Sequence, residues 1–151
     1  MRIVAQRVES ASVRVGSELV GRIGTGLCLL VGVEEGDGEP DVLAAVDKII
    51  NLRVFADEAG KMNRSLLDVG GSVLVVSQFT LLGDIRKGRR PSFTKSAAPG
   101  HASALIQQML DLFAGEGVET AGGRFGAHMG VEIFNDGPVT FVIDVKQGVV
   151  F

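Results

Sequence analysis

Between residues 27 and 33 the chain reads Leu-Cys-Leu-Leu-Val-Gly-Val, an apolar run without the polar alternation of a half-exposed strand. Such a run fits a central strand covered on both faces, so the fold must place a layer of structure on each side of it. Two segments supply helices for that purpose. Val42, Leu43, Val46, Ile49 and Ile50 recur at helical spacing behind Glu39-Pro40-Asp41, where a proline suits the first helical position and acidic residues suit a helix N-terminus. A second helix is predicted from Pro99 to about Ala114, with Leu105, Met109, Leu112 and Phe113 on one face.

Residues 2 to 8 and 11 to 15 alternate as half-buried strands do, and Gly16-Ser17 offers a turn into residues 18 to 23. With the apolar run these read as four antiparallel opening strands. Further strands are predicted at 52 to 55, at 72 to 78 and, two or three of them, after the second helix, the last near 139 to 145. At 151 residues, 46% of them hydrophobic, the chain has the size of one ordinary domain, able to bury roughly two thirds of its unfolded surface. The expected fold is therefore a single mixed α/β domain over residues 1–151, with a mainly antiparallel, barrel-like sheet and two main helices.

Several function classes fall away on composition. No apolar run approaches the ~18 residues that a membrane span needs, and the opening MRIVAQRVES lacks the basic start and greasy centre of a signal peptide. A cytoplasmic protein is expected. Cys28 is the lone cysteine and cannot form an internal disulfide; His101 and His128, the two histidines, have no Cys or second His at ligand spacing, which argues against a structural zinc site. A formal net charge of -3 argues against coating of nucleic acid by bulk electrostatics.

Four places hold groups that can do chemistry. Ser77-Gln78-Phe79-Thr80 sits where an apolar strand gives way to a loop, a position from which hydroxyls, an amide and backbone N–H groups can meet an oxyanion. The same residues equally suit a strand end whose polar groups satisfy the backbone. Residues 86 to 95 hold five cations and no acid, among them Arg86, Lys87, Arg89 and Arg90, with Phe93 available to stack a base. That segment reads as a phosphate-binding strip or as an exposed loop charged for solubility. His128 invites a general-base reading but has no evident orienting partner. Gly137-Pro138, in Asn135-Asp136-Gly137-Pro138, reads as a turn with a trans peptide, or as a rigid backbone device if the bond is cis.

Taken together, Ser77-Gln78-Phe79-Thr80-Leu81 and Asn135-Asp136-Gly137-Pro138-Val139-Thr140 resemble the two signature motifs of the D-aminoacyl-tRNA deacylases. Gln6-Arg7-Val8, Ala11-Ser12-Val13, Gly60-Lys61-Met62-Asn63, Gly70-Gly71 and Arg90-Pro91-Ser92-Phe93 are similar to that family's other landmarks, in the same order. The resemblance implies a homodimer that hydrolyses the ester between a D-amino acid and the 3′-terminal ribose of tRNA, and that also removes glycine from a mischarged tRNA. It implies a cis Gly137-Pro138 bond, contributed to the partner's active site as a filter that rejects L-aminoacyl-tRNA. By the same carry-over, Ser77, Gln78, Phe79 and Thr80 form the catalytic and adenosine site. Phe125 and Met129 line the aminoacyl pocket, and Arg86, Lys87, Arg89 and Arg90 contact phosphates. No metal, organic cofactor, membrane or DNA is implied. His128 departs from the family pattern, which often has an acidic residue there. Two alternatives stand beside this expectation: an acyl hydrolase with Thr80 as covalent nucleophile, and a non-catalytic dimer that grips tRNA 3′ ends.

Overall fold

The computed structural model describes all 151 residues, Met1–Phe151. In chain order the elements are β1 (Arg2–Val15), β2 (Glu18–Ile23), β3 (Gly26–Gly32), α1 (Glu39–Asn51), β4 (Phe55–Ala56), β5 (Met62–Arg64), β6 (Ser72–Ser77), α2 (Pro99–Gly115), β7 (Glu119–Gly122), β8 (Gly130–Lys146) and β9 (Val149–Val150). A 3-10 turn over Phe79–Leu82 follows β6 directly. One mixed sheet runs β7-β6-β3-β1-β8-β9, with β2 paired to β1 as well, while β4 and β5 form a separate ribbon. β1 is antiparallel to β2, β3 and β8, whereas β3-β6 and β6-β7 are parallel. Parallel neighbours need crossover connections, and α1 and α2 lie in the two that the chain makes here. The sheet curls until β2 meets β7: a Cβ on Gly21 would lie 2.6 Å from the Gly122 carbonyl.

That curl creates two cores. Leu27, Leu29 and Val31 of β3 and Val73 and Val75 of β6 pack with Val42, Val46 and Ile49 of α1 and Leu105, Met109 and Phe113 of α2. The alternate residues Cys28, Leu74 and Val76 face the inside of the curl, with Val8, Val13 and Ile23. The covering on both faces that the apolar run demanded is thus supplied by helices outside and by β1 and β2 inside. Cys28 is fully buried, and burial pushes its thiol up to about 11, so it packs as an inert apolar residue.

α1 starts as its sequence dictates. Pro40 occupies the first turn, and the Gly38 N–H donates to the Asp41 carboxylate at 2.9 Å. The other Asp41 oxygen accepts from the Gly148 N–H at 3.0 Å, tying the helix to the β8-β9 hairpin. Beside the same helix start, the Met1 ammonium pairs with buried Asp37 at 2.7 Å, and His101 of α2 donates from Nε2 to the Asp37 carbonyl at 2.8 Å. No helix is long and apolar enough to cross a membrane.

Several sequence expectations need correction. Residues 2 to 8 and 11 to 15 are one strand, so three strands open the protein instead of four. The alternation hid this because the pairing with β8 slips at two irregularities, between Gln6 and Val8 and between Val8 and Ser10, which change the phase of the buried residues without ending the strand. Leu43 is exposed, and Ala45 takes its place on the buried stripe of α1. Residues 52 to 54 are not in a strand; pairing starts at Phe55, with β5. The chain ends in β9, which folds back on β8 through Gln147-Gly148, both at positive φ, as a tight hairpin turn requires.

The close approach of β3 and β6 generates a direct test. A Cβ on Gly26 would stand 1.8 Å from the Ser72 carbonyl oxygen, backbone against backbone. Gly26→Ala is expected to pry open the start of the parallel ladder and cost about 3 kcal/mol or more. In a thermal melt that corresponds to a midpoint roughly 6–12 °C lower for a chain of this size. An unchanged midpoint would contradict the packing described.

Candidate functional site

β3 and β6 run parallel and end together, Val31 opposite Ser77, so the chain leaving β6 does so at the carboxyl ends of two adjacent parallel strands. That is where open α/β sheets place ligands. Gln78 donates its N–H to the Val31 carbonyl at 2.7 Å, and the chain then tightens into the 3-10 turn. Its first internal bond runs from the Leu81 N–H to the Gln78 carbonyl at 3.2 Å, so the N–H groups of Phe79 and Thr80 precede it and are left for an outside acceptor. The Gln78 amide donates to Thr80 Oγ1. No histidine, lysine or carboxylate is hydrogen-bonded to the Thr80 hydroxyl.

Beside this turn lies a pocket of about 600 Å³. Ser77, Gln78 and Phe79 form one wall, Phe93, Ser96 and Ala97 a second, and Phe125, His128 and Met129 a third. Phe79 is 57% exposed and meets Phe93 edge to face, ring centroids 5.0 Å apart. The structure therefore brings Ser77, Gln78 and Phe79 together with Phe125 and Met129, while Thr80 is outside the lining, exposed and bonded to Gln78.

Only Phe93 of the basic segment lines this pocket; the rest of the segment lies elsewhere. A two-bond bridge between Asp84 and Ser92 folds it into a short ribbon. Arg86 is already paired: its Nε donates to Asp84 at 2.9 Å, and these hydrogen bonds hold the Asp84 carboxyl well below the usual carboxylate range. Lys87, Arg89 and Arg90 are exposed and take part in none of the ion pairs. Arg86 and Lys95 line a separate charged cleft of about 590 Å³, alongside the Arg2–Asp144 pair.

Gly137 and Pro138 stand inside β8. Val8 pairs with Asn135 and Gln6 with Thr140, so the four residues from Asp136 to Val139 bulge out opposite Arg7 alone. Gly137 has φ +125, a conformation that side chains rarely adopt, and its bond to Pro138 is cis. Arg7 grips the bulge: Nε donates to the Asp136 carbonyl at 3.2 Å and pairs with its carboxylate at 3.0 Å, while Nη1 donates to the Val54 carbonyl at 2.5 Å. The sequence assigned no role to Arg7; its signal was a cation inside an apolar alternation. The bulge does not line the pocket. Three strand spacings, about 14 Å, separate β8 from β6, and Ser77 is level with Val31 and Ile3, four residues from Arg7 along β1.

Comparison with known proteins adds to this geometry. Residues 4–144 match the family model described as D-Tyr-tRNA(Tyr) deacylase. The chain is 55% identical over 146 residues to a D-aminoacyl-tRNA deacylase of Bacillus licheniformis, covering 97% of this chain and 99% of that one. It is 54% identical over 148 residues to one of Natranaerobius thermophilus, with coverages of 97% and 99%. Among solved structures, a c-Myc DNA Unwinding Element Binding Protein superposes with a TM-score of 0.88 at 39% identity, over 95% of this chain and 98% of that one. A probable eukaryotic D-amino acid tRNA deacylase shares the fold, with a TM-score of 0.76 at 19% identity, over 93% and 97% of the two chains.

Arg7 supplies the test of this geometry. Hydrogen bonds from a charged group contribute about 1.5–3 kcal/mol each, so Arg7→Gln is expected to speed amide exchange at Asp136, Gly137 and Val139 about tenfold or more. Exchange at the wild-type rate would mean that the bulge holds its shape without the guanidinium.

Proposed function

This chain belongs to the D-Tyr-tRNA(Tyr) deacylase family and is a hydrolase of the ester bond in D-aminoacyl-tRNA, and from that premise we propose how its own residues carry the reaction. Membership in a hydrolase family sets aside the non-catalytic binder. The observation that carries the reading is the pocket at the ends of β3 and β6, bordered by a turn whose first two N–H groups are left for an outside acceptor.

In the proposed reaction the tRNA 3′ end enters the pocket, and water attacks the ester carbonyl carbon. The N–H groups of Phe79 and Thr80 donate to the oxyanion that forms, the kind of fixed-dipole stabilisation that is usually the largest single contribution to acyl-transfer catalysis. The bond from the carbonyl carbon to the ribose 3′-oxygen then breaks; that oxygen takes a proton, and free tRNA and the amino acid leave. Thr80 has no base to remove its proton and is held instead as an acceptor by Gln78. This favours direct water attack over a covalent Thr80 intermediate, with the ribose 2′-hydroxyl beside the ester helping to activate the water.

Chirality is proposed to be read by backbone. An enzyme that takes many D side chains cannot use a side-chain pocket, and must instead fix the α-ammonium and leave no room for an L substituent. The Asp136 and Gly137 carbonyls in the Arg7-held bulge offer fixed acceptors for an ammonium. Their distance from the pocket of the same chain supports a homodimer in which each bulge serves the partner's pocket. A filter of this kind accepts glycine, which has no side chain to reject, so mischarged glycyl-tRNA is a second proposed substrate. Lys87, Arg89 and Arg90, unpaired and exposed, are proposed to meet tRNA phosphates, and a cytoplasmic location follows from the substrate.

Matched D- and L-tyrosyl-tRNA test the reading. Wild-type protein is expected to cleave the D ester and spare the L ester. Gly137→Ala places a Cβ 2.9 Å from both the Val139 N and its Cγ2 and forces a side chain into a rarely adopted φ, so kcat/KM for the D ester is expected to fall at least about tenfold. Full activity in this variant would remove the bulge from the site. Thr80→Ala is expected to lose about tenfold or less and to show no burst, whereas a loss of about a thousandfold with a product burst in the wild type would establish the covalent route.

A further inference from the structure

The bulge that carries Gly137 leaves the ladder after Asn135 and rejoins it at Thr140, and one residue of β1 is bonded to both of these feet. Gln6 pairs through its backbone with Thr140, and its side-chain Nε2 donates to Asn135 Oδ1 at 2.5 Å. The reach follows from the pleat. Residues paired across a ladder share a face of the sheet. Gln6 lies opposite Cys28, which faces the inside of the curl, as does Val8, the strand partner of Asn135. Gln6 and Asn135 are therefore diagonal neighbours on that face, a separation that a long side chain spans. Arg7 lies opposite Leu27, which faces the helix-covered core, and from there it takes hold of Asp136 and Val54. Two successive side chains thus hold the bulge from opposite faces of the sheet, Arg7 at its first residue and Gln6 across its base.

We propose that Gln6 is a positioning residue for the chirality filter: its bond to Asn135 sets the width of the base of the bulge, and with it the direction of the Asp136 and Gly137 carbonyls. The inference rests on the filter reading given above and names the residue that aims it. An exposed amide pair adds little to stability, because both partners bond water in the unfolded chain. Its effect lies in geometry. Both proposed acceptors follow Asn135 within two residues, and a four-residue bulge gripped only at its first residue can pivot about that grip. Gln6 supplies the second attachment that prevents the pivot. Selectivity needs it, because backbone acceptors exclude an L side chain only while they stay in one place, and a displacement of about 1 Å costs a positioned reaction about a hundredfold.

The experiment measures kcat/KM for D-tyrosyl-tRNA and for L-tyrosyl-tRNA with wild type, Gln6→Met, Asn135→Leu, the double variant and Asn135→Asp. Wild type tests the premise; if it cleaves neither ester, or both alike, the deacylase reading with its filter fails before the question of Gln6 arises, and the inference goes with it. With a selective wild type, Gln6→Met, which keeps the length of the side chain and removes its donor, is expected to lower the ratio of D to L cleavage about tenfold, with hydrolysis of the L ester rising about threefold in absolute terms. Damage to the fold lowers both esters, so a rise on the L ester marks a filter out of position. Asn135→Leu should match Gln6→Met, and the double variant should be no worse than either, since the two residues make one bond. Asn135→Asp keeps an acceptor for Gln6 and should hold the wild-type ratio within about twofold. The inference is overturned by an unchanged ratio in Gln6→Met, by an equal loss on both esters, by losses that add in the double variant, or by a loss in Asn135→Asp as large as that in Asn135→Leu.

Discussion

β1 is hydrogen-bonded along both of its edges, and the placement of everything else depends on that register. One edge carries β8 from Arg2 to Arg14; the other carries β3 over its first half and β2 over its second. Between the halves the pairing slips, and the inward residues change from Ile3 and Ala5, which face the helix-covered core, to Val8, Ala11 and Val13, which face the inside of the curl. The slip also leaves Arg7 alone opposite four residues of β8. The first of the two irregularities, between Gln6 and Val8, thus both shifts the buried phase of β1 and forms the bulge that presents Gly137, consistent with the general habit of bulges to re-aim a strand near functional groups.

The other half of the site follows from the parallel side of the same sheet. β3 and β6 approach closely at Gly26, stay in register for six residues and end together at Val31 and Ser77. The turn beyond them presents N–H groups instead of a strong acid or base. In the proposed mechanism the protein contributes oriented dipoles and a shaped cavity, and the substrate contributes its own hydroxyl, which fits a site whose Thr80 is bonded to an amide. The bulge stands three strands away from the pocket, so in the proposed mechanism its service as a filter requires the proposed homodimer. Selectivity and assembly are then the same requirement.

Much of this was legible in the sequence. The run from 27 to 33 foretold a strand covered on both faces, and proline with acidic residues at 39 to 41 foretold the start of α1. Ser77-Gln78-Phe79 and the distant Phe125 and Met129 do meet in one pocket. What stayed hidden depended on pairing across the sheet. Alternation reports which residues are buried and says nothing about whether a phase change ends a strand or bulges it, so β1 read as two strands. Arg7 acquires a role only when Asp136 and Val54 are brought beside it from 129 and 47 residues away. Arg86 read as a free cation, and its neighbour Asp84 takes that charge up.

The most direct test of a pocket on one subunit completed by the bulge of another is a crystal structure of the protein with a stable amide analogue of D-tyrosyl-adenosine. The expected result is adenosine in the pocket beside Ser77, Phe79 and Phe93, with the ammonium hydrogen-bonded to backbone carbonyls at Gly137 of a second subunit. An ammonium bound by groups of the same chain, or an analogue seated outside this pocket, would contradict the division of the site between two copies.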